Sequence, residues 1–145
     1  MKKLLLALFV LVAINATAQV PTLEQAKDTA KAEHKLILIS FSGSDWCIPC
    51  IRMEKDVFEK EAFHQYATEH LVVLSADFPR LKKHQLPADQ QKRNEALADA
   101  YNKKGAFPFT VLLDADGNVL KEWEGQVADA PEDFIAQIEK VPHAR

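Results

Sequence analysis

The sequence predicts an α/β fold: a mixed four-stranded sheet covered by helices on both faces, with one extra helix at the N-terminal end. Three patterns point there. Two short apolar runs rich in branched residues, Leu36 to Phe41 and Leu71 to Ala76, stand either side of a segment with helical periodicity. Phe109 to Leu113 and Val119 to Trp123 flank Asp114-Ala115-Asp116-Gly117-Asn118, a hairpin signature. Apolar residues at threes and fours recur before the first run, between the second run and the hairpin, and after the hairpin.

Taken in order, Thr22 is placed to cap a modest helix to about Glu33, with Leu23, Ala26 and Ala30 on one face. The run from Leu36 to Phe41 then reads as a strand covered on both sides, broken by Ser42-Gly43-Ser44-Asp45. From Cys47 to about His70 the apolar positions Ile51, Val57, Phe58, Ala62, Phe63, Tyr66 and Ala67 predict helix, in two pieces that meet near Lys60. The strand from Leu71 follows. Asp77 to Asp89 has Pro79 and Pro87 and little periodicity, so it reads as a surface loop. Its run of Arg80, Lys82, Lys83 and His84 reads as a solvated face, with partner binding as the alternative. A helix from Asp89 to Lys103 should turn Ala96, Leu97, Ala100 and Tyr101 inward and end at Gly105. After the hairpin, Pro131 opens a closing helix with Phe134, Ile135, Ile138 and Val141 inside. The first two strands, joined through a helix, should be parallel with a right-handed crossover, and the last two antiparallel.

The first residues speak to compartment. Lys2 and Lys3 precede an uncharged apolar stretch from Leu4 to Ile14, and Ala16-Thr17-Ala18 makes a small-x-small cleavage site. Residues 1–18 therefore read as a signal peptide and 19–145 as one domain, periplasmic or secreted. The apolar stretch is shorter than the roughly 20 residues that span a bilayer, so no membrane anchor is expected after cleavage. Losing Lys2 and Lys3 leaves sixteen cations against twenty-one acids, a net charge of −5. That balance gives no footprint for nucleic acid.

Outside the cytosol disulfides persist, and the chain has two cysteines, in Cys47-Ile48-Pro49-Cys50. They pair with each other, with a partner's cysteine, or not at all. A loop this short makes a poor staple, about 2 kcal/mol on the chain-entropy estimate. It suits a bond that switches between dithiol and disulfide. Cys47 stands where the strand's loop enters a helix, near unpaired N–H groups and the positive end of the helix dipole, which favours its thiolate. Cys47 is the expected nucleophile. Cys50 lies one turn on, with Cβ atoms roughly 5–6 Å apart, and is the expected buried resolving thiol. Pro49 fits the first helical turn and stiffens the loop between the sulfurs. Trp46 suits either the core or the rim of the site.

The Trp-Cys-x-Pro-Cys core within LILISFSGSDWCIPCIRMEKDVF, the strand Leu71 to Asp77, GAFPFTVLLDADGNVL and the helix after Pro131 together resemble the thioredoxin superfamily over nearly all of the mature chain. Asp45-Trp46-Cys47 and Met53 to Phe58 look most like exported members, including the C-terminal domain of the reductant-relay protein DsbD. The resemblance implies a thioredoxin fold and thiol-disulfide exchange with protein or peptide thiols and disulfides. It requires no cofactor beyond the cysteine pair and implies a membrane-embedded redox partner. It also implies a cis-proline loop at Phe107-Pro108 facing the cysteines, with the Phe107 backbone free to pair with an extended substrate segment. Phe107, Trp46 and Ile48 would form an apolar rim.

Two departures stand out. The buried acid usual in the first strand is replaced by Ser40 or Phe41, and the lysine that often accompanies it by Val73 or a neighbour. Deprotonation of Cys50 would then fall to water or to a group such as Glu54, a residue that equally suits a helix surface. A reductase is favoured over an oxidase or isomerase. The alternatives are a binding or structural protein with an inert disulfide, and a zinc site. The second lacks ligands, since His34, His64, His70, His84 and His143 show no tight spacing.

Overall fold

In the computed structural model, which describes residues 20–142, the chain folds as a single sheet between two helical layers. The segment read as a signal peptide lies outside the described residues. Helix α1 (Leu23–Glu33) leads to strand β1 (Leu36–Ser42), then α2 (Ile48–Met53), a π-helical turn (Glu54–Phe58), α3 (Glu61–His70) and β2 (Leu71–Asp77). A 3₁₀ turn (Lys82–His84) interrupts the next loop before α4 (Ala88–Tyr101), β3 (Phe109–Leu113), β4 (Val119–Glu124) and α5 (Pro131–Glu139). Every predicted strand and helix is present.

The strand order is β2-β1-β3-β4, with β1 parallel to β2, antiparallel to β3, and β3 antiparallel to β4. Ile39 stands opposite Leu74 on one side and Val111 on the other. Strands β1 and β3 are central and buried along both faces, as their unbroken apolar runs require. Edge strand β4 instead exposes Lys121, Glu122 and Glu124, charges that discourage pairing with another chain.

Alternation along β1 divides the interior. Ile37, Ile39 and Phe41 join Ala26, Ala30 and Leu97 beneath α1 and α4, while Leu38 joins Met53, Val57, Phe63, Phe134 and Ile138 on the opposite side. Phe134 is fully buried, with the rings of Phe58, Phe63 and Trp123 centred 6.0, 6.1 and 5.2 Å away. Truncating such a side chain to alanine typically costs about 3–5 kcal/mol.

The structure corrects two inward faces. In α4 the buried stripe is Asn94 and Leu97, with Ala98 and Tyr101 partly covered, while Ala96 and Ala100 face solvent. Asn94 tolerates burial because its Nδ2 donates to the Asp77 carbonyl at 2.8 Å, and Tyr101 Oη donates to the Gly117 carbonyl at 3.0 Å. In the helix after the cysteines, Cys50, Met53 and Val57 point inward, so Ile51 is turned outward and 41% exposed. The predicted division near Lys60 is present, since Lys60 has extended backbone and α3 starts after it.

Candidate active site

The site begins where β1 ends. Gly43 O accepts hydrogen bonds from Trp46 N at 3.2 Å and Cys47 N at 2.8 Å, closing a tight turn that leaves Cys47 extended as the N-cap of α2. Cys47 O accepts from Ile51 N at 3.0 Å, and Cys47 Sγ accepts from Cys50 N at 3.3 Å. The sulfur thus occupies the place that a serine or threonine oxygen takes at an ordinary N-cap. Cys47 and Cys50 are joined as a disulfide, with Cα atoms 5.2 Å apart. Pro49 lies in the first turn.

Residue burial separates the two cysteines little: Cys47 is 5% exposed and Cys50 3%. Helix position distinguishes them instead. The bond lies behind a rim rather than under the sheet, because Ile48, between the cysteines, is 65% exposed and Pro49 is exposed too.

Trp46 lines this rim and is partly buried, so it serves both of the roles its position allowed. Its ring meets Phe107 edge-on at 5.4 Å, and Phe107 meets Phe78 at 5.6 Å. Trp46 Nε1 donates to Phe78 O at 2.8 Å. The indole lies against Gly43, where an added Cβ would stand 2.3 Å from Trp46 Cε2. Gly43 is therefore required by the packing of the tryptophan, a role that a reading of it as a mere strand break missed. The Phe107–Pro108 peptide bond is cis, and Pro108 O accepts from Gly125 N at 2.9 Å. Trp46 and Phe107 thereby bring the disulfide loop and the Pro108 loop side by side.

Two aspartates tie the loops after β1 and β2 to each other. Asp77 accepts from Ser44 N at 2.8 Å, Ser44 Oγ at 2.6 Å and Ser42 Oγ at 3.3 Å. In return, Asp45 accepts from Arg80 N and Leu81 N, both at 2.9 Å, and meets His84 Nδ1 at 3.1 Å. The Arg80 backbone N–H holds the Asp45 carboxyl below the usual carboxylate range; Leu81 N–H and His84 act the same way against the opposing effect of burial. Arg80 also stacks over Trp46, its Cζ 3.7 Å from the ring centroid. None of these partners was legible in advance, since the ties bridge more than thirty residues of chain.

Beneath α2 the missing acid is explained by alternation. Phe41 belongs to the core under α1 and α4, so Ser40 takes the position on the α2 side. Ser40 pairs across the sheet with Ser75 and Thr110; the Thr110 hydroxyl is buried without a partner. Beside them a cavity of about 560 Å³ is lined by Cys50, Glu54, Ser42, Ser75 and Asp77. Burial pushes the Glu54 carboxyl up, Glu59 and Asp77 push it further, and His64 opposes them. Glu54 is exposed at its outer edge, yet it reaches the same cavity as Cys50. Among the described residues no group of histidines, cysteines or acids is placed to hold a metal ion.

A family described as the thioredoxin-like domain matches residues 23–142. The disulfide bond reductase DsbH of Chlamydia pneumoniae is 37% identical over 105 residues, which cover 72% of this chain and 61% of that protein's length. A solved DsbH oxidoreductase superposes with a TM-score of 0.72 at 30% identity, covering 83% of this chain and 81% of the other. The oxidised C-terminal domain of DsbD from Neisseria meningitidis, at 24% identity, shares the fold with a TM-score of 0.54 over 83% of this chain and 93% of its own.

Proposed function

The chain belongs to the thioredoxin-like domain family, and on that premise we propose that it is an exported thiol-disulfide oxidoreductase acting in the reducing direction. One observation carries the reading: a cysteine whose sulfur caps a helix is bonded to the cysteine whose N–H points at that sulfur from 3.3 Å. When the bond is reduced, a thiolate on Cys47 would keep that N–H and gain the favourable end of the helix dipole. A charged acceptor makes the hydrogen bond stronger.

The cycle follows from these positions. The Cys47 thiolate attacks a substrate disulfide, forming a mixed disulfide and releasing one substrate thiolate. Cys50 then loses its proton and attacks Cys47 Sγ, which frees the second substrate sulfur and closes the Cys47–Cys50 bond. Two electrons pass from enzyme to substrate. Glu54, sharing a cavity with Cys50 and with its carboxyl pushed up, is suited to take the Cys50 proton through water. Trp46, Ile48 and Phe107 supply an apolar rim, and the backbone of Phe107, next to Pro108, offers an edge to an extended substrate segment.

The reducing direction draws support from the reductase name of the Chlamydia pneumoniae relative. Export draws support from the pattern of residues 1–18, with 19–145 as the mature unit. An exported reductase needs electrons from the cytosolic side, hence a membrane-embedded donor. Its substrates are protein or peptide disulfides, and no cofactor is needed beyond the cysteine pair.

A redox titration tests the proposal. An exchanger should titrate between about −270 and −120 mV, with a reductase towards the negative end, whereas an inert structural bond lies below about −300 mV. The burial of both cysteines is the one observation that favours an inert bond. A potential below that limit would establish that second reading.

A further inference from the structure

Resting on the exchange reading above, we propose that the loop between β2 and α4 is a docking surface for an acidic segment of the substrate polypeptide, close to its disulfide. From Phe78 to Ala88 this loop carries Arg80, Lys82, Lys83 and His84 and not one acid, in a mature chain of net charge −5. It is the reverse of its surroundings in charge.

Arg80, Lys82 and Lys83 are exposed and have no carboxylate within ion-pair distance among the described residues, whereas Lys27, Lys31, Lys35 and Arg93 are all paired. The two nearest acids do not cancel them. Asp45 is turned inward, its side chain 4% exposed, and Asp77 is taken up by Ser42 and Ser44. Positive charge therefore faces outward.

The loop is also held rather than left loose. Three atoms of the segment Arg80 to His84 rest on the Asp45 carboxylate, and Phe78 O receives Trp46 Nε1. Asp45 stands two residues before Cys47, a span of at most about 7 Å. Arg80 lies on the Trp46 ring, directly beside the reacting pair. A substrate that presents a disulfide to Cys47 must pass its neighbouring residues across these cations, within about one Debye length. Leu81, 47% exposed between Arg80 and Lys82, adds an apolar contact to the charged one. An anionic lipid surface would meet the same cations, but it has no disulfide to deliver to the cysteines they surround.

The test uses pre-reduced full-length mature protein and three synthetic disulfide peptides, identical except that the residues flanking the cysteine are glutamates, serines or lysines. Single-turnover rates are read as peptide thiols after acid quenching. Reduction of the serine peptide tests exchange itself; the ratio of glutamate to serine rates tests the docking surface. At about 20 mM salt that ratio should be about ten, with the lysine peptide slowest, and it should fall towards one at about 0.3 M salt. Lys82→Glu with Lys83→Glu should invert the preference, and Arg80→Gln should lower it. Equal rates for the three peptides while the serine peptide is reduced would overturn the proposal, as would a preference that survives the double charge reversal. Equal rates accompanied by charge-dependent sedimentation on phosphatidylglycerol vesicles would overturn it too and assign the loop to lipid.

Discussion

Helices α1 and α2 begin with the same local device and put it to different uses. Thr22 Oγ1 accepts Gln25 N at 3.2 Å, and Cys47 Sγ accepts Cys50 N at 3.3 Å. In α1 the device is closed on itself, because Gln25 Oε1 accepts Thr22 N in return at 2.9 Å. Its partners are neutral and stay so. In α2 the cap's own N–H is spent on Gly43 O, and the capping atom is a sulfur that becomes an anion on reduction. The comparison teaches that one geometry stabilises a fold when its acceptor is permanent and tunes reactivity when its acceptor can change charge.

The comparison breaks first at the sulfurs. Cys47→Ser should lower insulin-disulfide reduction by at least about a hundredfold, and Cys50→Ser should accumulate a mixed disulfide visible by mass spectrometry. Full turnover in either variant contradicts the assigned roles. Next in size, iodoacetamide should alkylate Cys47 of the reduced protein about tenfold faster than Cys50 at neutral pH, the consequence of a thiol pKa lowered by helix position. Equal rates would mean that the cap of α2 does no more than the cap of α1.

Glu54→Gln sharpens the comparison further, with an expected several-fold slowing of mixed-disulfide resolution near neutral pH that fades as Cys50 ionises unaided at higher pH. The same variant has a stability signature whose sign is set by burial. Because the folded carboxyl is pushed up, the wild-type contribution is fully present below the unfolded value and is lost as pH rises through the folded one. Glu54→Gln should therefore raise the melting temperature at neutral pH and leave it unchanged in acid. The smallest effect belongs to α1: Thr22→Ala should cost about 1 kcal/mol in urea unfolding and leave turnover of the reduced enzyme as it was.

What the sequence disclosed follows from the range of the interactions. The strands, the hairpin at Asp114 to Asn118 and the cap at Cys47 are written in periods and turn residues a few positions apart, so they could be read directly. Asn94 was hidden because a polar residue breaks the apolar stripe, and only the Asp77 carbonyl, seventeen residues away, makes its burial tolerable. Asp45 and Asp77 were hidden for the same reason at longer range. Gly43 looked like a break because the indole that fills the space of its absent side chain is three residues on, folded back over it. The π-helical turn was invisible, since a shift from four to five residues per hydrogen bond leaves no mark on composition.

That turn couples chain length to the orientation of the site. Glu59 N donates to Glu54 O at 2.8 Å, five residues back, so this loop of helix holds one residue more than an ordinary one. Deleting a single residue between Cys50 and Phe63 would tighten it to regular pitch and rotate everything upstream by roughly 100° against everything downstream. In an alignment such a deletion looks like a trivial gap. In space it would swing the second sulfur away from Met53's side of the sheet, so the spacing from the cysteine pair to α3 is inherited as a bearing as well as a distance.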